Sequence, residues 1–299
     1  VVSESRPRFL LIGSRGQVGW ELARSLRALG DVAVADRPRL NLADPRTIGP
    51  VVAAASPTCI VNAAAFTDVD GAEAEPDVAF RVNAESPGVL AEHAAAIDAL
   101  LVHYSTDYVF DGGSSVPYTE LDVTAPLSVY GRSKLEGERA VLASRAQALI
   151  LRTSWVFGTR RRNFLNTILR LARERETLRV VDDQVGTPTW CRCVAEGTAR
   201  ILERSLDGRD FAPPPSGRAV LHLTGAGHTT RFGFARYILQ RAEREGHPLP
   251  ELVPIGTAEY PTPALRPRYS VLDNSRLRET FGITLPDWRT QVDQCMDAR

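Results

Sequence analysis

The sequence holds a single lysine, Lys134, and arginine supplies the rest of its 36 basic residues. Arginine cannot stand in where chemistry needs a compact point charge, so the lone lysine reads as functional; the bland alternative is an arginine-rich composition that left one lysine by chance. Charge of one sign is also missing. Acidic residues number 36 as well, and this balance argues against nucleic acid or an anionic membrane surface as partner. No apolar run is long enough to cross a bilayer, and no signal-peptide core stands near the start. Cysteine is scarce. Cys59 lies in an apolar run and reads as core, while Cys191 and Cys193 are too close-set, without a second pair, for a zinc site. The five histidines show no metal-ligand spacing. These absences predict a cytoplasmic, reduced protein with no membrane segment and no metal.

What is present has globular proportions, 43% hydrophobic and 24% charged. Its 299 residues suffice for one large α/β domain or two unequal lobes. Residues 1–7 are polar and expected to fray. Phe9 to Ile12 is a short apolar run of the kind buried in a parallel sheet. Gly13, Gly16 and Gly19 follow it in GSRGQVG, and Val18, Leu22, Leu26 and Leu29 then recur with helical spacing. Gly30 stands at a C′-like stop. Strand, glycine turn and helix start together form a dinucleotide-phosphate site: the glycines let the backbone approach a pyrophosphate and the helix end offers free N–H groups.

Val32 to Ala35 reads as the second strand. Asp36 ends it, roughly 20 residues beyond the first glycine, where a ribose hydroxyl is bound. Asp36 alone favours NADH, whereas Arg37 beside it can hold the 2′-phosphate of NADPH; the choice stays open. Cys59 to Val61 is a further strand, with the small residues Asn62 to Ala65 at its end and Thr67, Asp68 and Asp70 in the loop beyond. Residues 72–97 are alanine-rich with helical spacing. Leu100 to Tyr104 is the next strand, and Ser105, Thr106, Asp107 and Tyr108 sit at its tip, where Thr106 can meet a substrate or merely cap the turn. Tyr130 and Lys134 are four apart, so a helix sets them one turn from each other on one face. An ammonium there favours the phenolate and makes the phenol a better acid. Residues 148–151 form a strand ending at Trp155, which can cover a sugar or base or simply fill the core.

Beyond residue 156 the βα regularity weakens. A helix is expected over Asn163 to Ala172, a turn-rich loop over Asp182 to Thr189, a mobile surface insertion over 208–218 around Pro213 to Pro215, a strand over Val220 to Thr224, and an amphipathic helix over Phe232 to Ala242. Arg266 and Arg268, in EYPTPALRPR, can meet a diphosphate bidentately or lie solvated. A short helix near Trp288 closes the chain. The fold class is therefore α/β: a Rossmann-type, doubly wound parallel sheet with a smaller C-terminal α/β substrate-binding lobe. Its expected division gives 8–158 to the dinucleotide-binding domain, with 190–224 returning to it, and 159–189 with 225–299 to the smaller lobe.

The motifs GQVGWEL (16–22), VNAAAFTDVDGAE (61–73), HYSTDYVFDG (103–112), VYGRSKLEGE (129–138), RTSWVFG (152–158), DDQVGTPT (182–189) and YPTPALRP (260–267) resemble those of the extended short-chain dehydrogenase/reductases that act on nucleotide sugars. The resemblance runs from Leu10 to about Trp288. It implies an NADPH-dependent enzyme, with NADH an alternative, that reduces the C4 ketone of a dTDP-4-keto-6-deoxy sugar, dTDP-4-dehydro-L-rhamnose, in the last step of dTDP-L-rhamnose synthesis. Tyr130 then matches the proton donor. Lys134 matches the lysine that binds the nicotinamide ribose and lowers the tyrosine pKa, and Thr106 the second hydroxyl on the reacting oxygen. Gly13, Gly16, Gln17, Val18, Gly19, Asp36, Asn41, Leu42, Ala65 and Thr67 fall at cofactor positions. Asp107, Tyr108, Trp155 and Arg266 fall at substrate positions. Related dehydratases carry a glutamate after the Thr-Asp pair; here Tyr108 follows Asp107, which favours plain ketone reduction. Some relatives dimerise through a cation held by glutamates. Glu21 matches one such position, but Arg192 and Ala298 occupy the others, which argues against a metal-bridged dimer and leaves monomer or homodimer open. The rival readings are a sister reductase of another dTDP-4-keto sugar, such as the dihydrostreptose branch, and a non-catalytic regulatory subunit like that of methionine adenosyltransferase.

Overall fold

β1 (Arg8–Ile12) is buried from Phe9 onward because it lies mid-sheet with helices over both faces. The structure, a computed structural model, describes residues 6–206, 218–243 and 249–299. Residues 1–5 of the expected frayed end, and the expected insertion at 208–218 up to its last residue, lie outside these. From β1 the chain runs through α1 (Gln17–Ser25), β2 (Asp31–Ala35), α2 (Ile48–Ala55), β3 (Cys59–Asn62), α3 (Val69–Ala74), α4 (Pro76–Phe80), α5 (Ser86–Ala96), β4 (Leu100–Thr106), α6 (Val129–Ala143) and β5 (Ala148–Thr153). It continues through β6 (Val156–Phe157), α7 (Phe164–Glu174), β7 (Thr177–Val181), β8 (Val185–Gly186), β9 (Thr189–Trp190), α8 (Cys191–Leu206), β10 (Arg218–His222), β11 (Thr229–Thr230), α9 (Arg231–Glu243), β12 (Glu251–Ile255), α10 (Ser275–Phe281) and α11 (Trp288–Asp297).

The main sheet has the order β10-β5-β4-β3-β1-β2, all parallel. The chain steps from β1 outward to β2 and then crosses back to β3, so the strand order reverses between β1 and β3. In such sheets ligands bind beyond the carboxyl ends of the strands at this reversal. Alternation along each strand feeds two cores. Phe9 and Leu11 face the side covered by α1 and α8, while Leu10 and Ile12 face α2 and α5. Smaller pairings build the second lobe: β7 with β12, β8 with β11, and β6 with β9.

Gly30 stands at C′ as expected, after the 3-10 turn Leu26–Ala28 and its C-cap Leu29, with its N–H on the Leu26 carbonyl at 3.0 Å; its backbone is not left-handed, and a β-carbon there would overlap the Pro7 carbonyl. Two expectations need correction. The alanine-rich run 72–97 is broken into α4, a π-helical stretch Arg81–Glu85 and α5. The segment 182–189 is not all loop, because Val185 and Gly186 pair with Thr230 and Thr229.

Candidate active site

One wall of the crevice is made of backbone. Gly13 sits at φ +87°, and a β-carbon there would come within 2.6 Å of the Ala64 nitrogen, so the turn after β1 and the end of β3 fit only without a side chain. Gly16 begins α1 and no side chain caps it, which leaves the helix end to an anion. This cradle is the shape a dinucleotide pyrophosphate needs. Asp36 braces the loop: its carboxylate accepts from the Gly13 amide at 3.1 Å and the Ser14 hydroxyl at 2.5 Å. It is therefore engaged in the turn as well as standing where a ribose is expected. Arg37 is exposed, and Arg15, which drew no notice in the sequence, lies 3.9 Å from Asp36 on the same rim. Gln17 accepts from Asn163 at 2.8 Å, and Val18 packs half-buried on the core. Asn41 turns its side chain onto the Ala43 amide. Leu42 disagrees with a side-chain contact to a cofactor, since its side chain is core and its carbonyl accepts from Ser86. Ala65 is half-buried and Thr67 exposed.

At the tip of β4, Thr106 donates to Asp107 at 3.1 Å and accepts from the Tyr108 amide at 3.2 Å. It stands near the Tyr130 phenol and favours its ionised form. Ser128 caps α6 through the Gly131 amide at 3.1 Å, which fixes the helix start just before Tyr130. The ring centres of Tyr108 and Tyr130 stand 5.6 Å apart, edge to face. Asp107 accepts from Thr106 and from Ser154, each at 3.1 Å; burial still pushes its carboxyl above the usual range, against the pull of these hydroxyls and Ser270.

Lys134 departs from expectation. It is 2% exposed, and its ammonium turns inward to the Tyr104 carbonyl at 2.6 Å and His103 Nε2 at 3.3 Å. Burial pushes it down to about 8, with Glu138 resisting. The Tyr130 phenol rises well above its ordinary value: burial dominates, Asp107 and Tyr108 add to it, and only Thr106 pulls it back. Shared position on a helix face thus did not yield the acidifying contact that the spacing predicted. One turn past Lys134, Glu138 takes a buried bidentate pair from Arg152 at 2.9 and 2.7 Å, which ties α6 to β5.

The other wall is made of side chains. Trp155 is half-buried with a left-handed backbone, φ +42°. The Arg231 guanidinium lies 3.5 Å over its ring, and its charge favours the Tyr108 phenolate. Arg266 pairs with Asp70 at 2.7 Å, and the same carboxylate accepts from the Ala264 amide at 3.2 Å. Arg231 and Arg266 both bear on Tyr108, so two cations converge there. Arg268 is exposed and does not join them. Arg231, Ser154, Ser270 and His103 escaped the sequence reading; a residue that opens a helix after a loop carries no local mark of what it meets across the fold. Away from the crevice, Glu21 pairs with Arg192 at 3.2 Å, so an arginine supplies its positive partner. All four cysteines are buried and unpaired. Among the described residues no helix is long and apolar enough to cross a membrane.

Comparison with known proteins joins this geometry to a family. Residues 7–299 match the family described as the RmlD substrate binding domain. A dTDP-4-dehydrorhamnose reductase of Burkholderia thailandensis is 49% identical over 293 residues, 97% of this chain and 98% of that protein. One from Escherichia coli K12 is 41% identical, with 96% of each chain covered. Among solved structures, the dTDP-4-dehydrorhamnose reductase of Bacillus anthracis in complex with NADP superposes with a TM-score of 0.87 at 30% identity, covering 98% of this chain and all of that one.

Proposed function

The chain belongs to the RmlD substrate binding domain family, and from that membership we infer that it reduces the C4 ketone of dTDP-4-dehydro-L-rhamnose to dTDP-L-rhamnose, the last step in making that sugar nucleotide. The observation that carries the reading is the meeting of Thr106 and Tyr130 between a glycine cradle and a wall bearing two arginines. We assign Gly13, Gly16 and the start of α1 to the cofactor pyrophosphate. Asp36 stays with the turn it braces beside the ribose, and Arg15 and Arg37 go to a 2′-phosphate, so NADPH is the preferred form. We assign Arg231 and Arg266 to the sugar-nucleotide diphosphate and Trp155 to the face of the sugar. Among the described residues, 8–158 with 190–206 and 218–224 then form the cofactor lobe, and 159–189 with 225–243 and 249–299 the sugar-nucleotide lobe. Four unpaired thiols fit a reducing, cytoplasmic setting.

When bound, a reduced nicotinamide supplies the hydride. Negative charge then gathers on the former ketone oxygen, and Tyr130 gives it the phenolic proton, completing the alcohol. Thr106 has one hydroxyl proton, which here points to Asp107; after Tyr130 has donated, that proton can swing to the phenolate while Ser154 keeps Asp107 paired. Positioned acid catalysis of this kind contributes about 10²–10⁴-fold. The test is NADPH oxidation with dTDP-4-dehydro-L-rhamnose generated in place by the upstream enzymes. Turnover is expected, and Tyr130→Phe should lose about 10²–10⁴-fold in kcat. No substrate-dependent oxidation, or an undiminished Tyr130→Phe, would sink the assignment.

A further inference from the structure

Behind Tyr130 a chain of buried polar groups runs from the end of β3 to α6. The Ala64 N–H donates to Asn62 Oδ1 at 3.2 Å. A backbone N–H can only donate, so this bond fixes which end of the Asn62 amide points where. Asn62 Nδ2 is thereby turned to His103 Nδ1, 3.2 Å away, and must donate to it. His103 is 1% exposed and neutral: burial first, and the charge of Lys134 second, hold its pKa well below the ordinary value. A neutral imidazole whose Nδ1 accepts carries its hydrogen on Nε2. That Nε2–H faces Lys134 Nζ at 3.3 Å, while Nζ itself donates to the Tyr104 carbonyl at 2.6 Å.

The two protonation states of Lys134 fit this niche differently. An ammonium has three donors and no acceptor, so it meets the imidazole N–H donor to donor. A neutral amine accepts from Nε2–H and still donates to Tyr104, so every bond in the chain is satisfied. We propose that His103 is a positioning residue for the reduction: held in one tautomer by Asn62, it presents an N–H to Lys134 and so controls whether Lys134 carries a proton. The other titratable groups around Lys134 are already engaged. Glu138 is held by Arg152, Asp107 by the Thr106 and Ser154 hydroxyls, and the Tyr104 phenol by Thr198. None of them offers Lys134 a competing acceptor at close range among the bonds observed.

The consequence rests on the proposed reduction and on the role that the family resemblance implies for Lys134 at the cofactor ribose. Burial holds Lys134 down to about 8, so the charge that role needs is lost as pH rises through that value, and kcat/KM should fall there.

The single lysine makes this directly measurable. In this 299-residue chain carrying ¹³Cε-lysine, one Cε resonance reports Lys134 without any turnover. It should titrate near pH 8. In His103→Gln, whose side-chain carbonyl can accept from the ammonium, the midpoint should rise by about one unit or more toward the reference lysine value, with the alkaline limb of kcat/KM moving alongside. A midpoint that stays put in the folded variant would overturn the proposal. Should that variant not fold, ¹⁵N imidazole spectra of the wild type decide the matter: His103 must show the Nε2–H tautomer, and an Nδ1–H tautomer overturns the proposal. A midpoint that moves as expected in an enzyme inert toward dTDP-4-dehydro-L-rhamnose would instead overturn the functional reading and leave the Lys134 chemistry standing.

Discussion

The two walls of the crevice are built by different means. The cofactor wall is backbone meeting backbone, Gly13 against Ala64 with the start of α1 alongside, all from the first βαβ units. The sugar wall is side chain meeting side chain, drawn from stretches far apart: Asp70 and Arg266 are 196 residues distant, and Arg231 reaches Tyr108 from the start of α9. A backbone wall recognises its ligand by shape and N–H direction, and no substitution elsewhere can replace a missing glycine. A side-chain wall recognises by charge and hydrogen bonding, and any one of its members can be exchanged. The difference suits a common cofactor on one side and one particular sugar nucleotide on the other.

Gly13→Ala should break the first wall and spare the second. Its β-carbon would meet Ala64 and Ala63 backbone atoms within 3 Å, at a φ of +87°. Strain of this sort costs on the order of 1–3 kcal/mol, and the displaced turn also loses its aim at the pyrophosphate. The expected result is at least ~100-fold weaker NADPH binding by calorimetry, with dTDP binding changed less than about threefold. Equal loss of both ligands would mean that the walls are not separable.

Arg266→Ala should do the reverse with a smaller effect. A hydrogen bond to a charged group is worth about 1.5–3 kcal/mol, so KM for the sugar nucleotide should rise by about 10- to 100-fold while NADPH affinity stays within about twofold. If the NADPH constant moves as well, the arginine serves the cofactor side.

The same division explains what could be read before the structure. The glycine spacing, the apolar strands and the Tyr130–Lys134 interval are short-range patterns, and periodicity reports such patterns directly. Leu42 shows their limit: it falls at a cofactor position by motif, yet its side chain is core because the loop after β2 turns it under the sheet. Lys134 shows another. Its spacing put it on the helix face of Tyr130, but which partner the amino group meets depends on β4, whose Tyr104 carbonyl accepts from it and whose His103 ring faces it. Arg231 was invisible because the Trp155 ring and Tyr108 phenol that define its place come from distant strand tips. Side-chain walls are long-range objects, and sequence alone gives their members no common address.

The smallest effect tests the join between Asp70 and the 264–266 segment. Burial pushes the Asp70 carboxyl up, but the Arg266 hydrogen bond, the Ala264 amide and the Arg266 charge together outweigh it and hold the group below its ordinary range. A carboxyl depressed in the folded state contributes stability that is present above its unfolded pKa, about 3.9, and is lost as pH falls through the folded value. The tether should therefore be unchanged from pH 7 to pH 5 and loosen only below about pH 4. The Ala264 amide donates to this carboxylate, so its hydrogen-exchange protection factor should drop a few-fold in that window. The Gly131 amide supplies the contrast, because its acceptor is the Ser128 hydroxyl, which does not titrate. Protection lost at Ala264 but kept at Gly131 would show the side-chain wall yielding to acid before the helix that bears Tyr130. Parallel loss at both would mean global unfolding, and would remove the ion pair as the element that holds this segment in place.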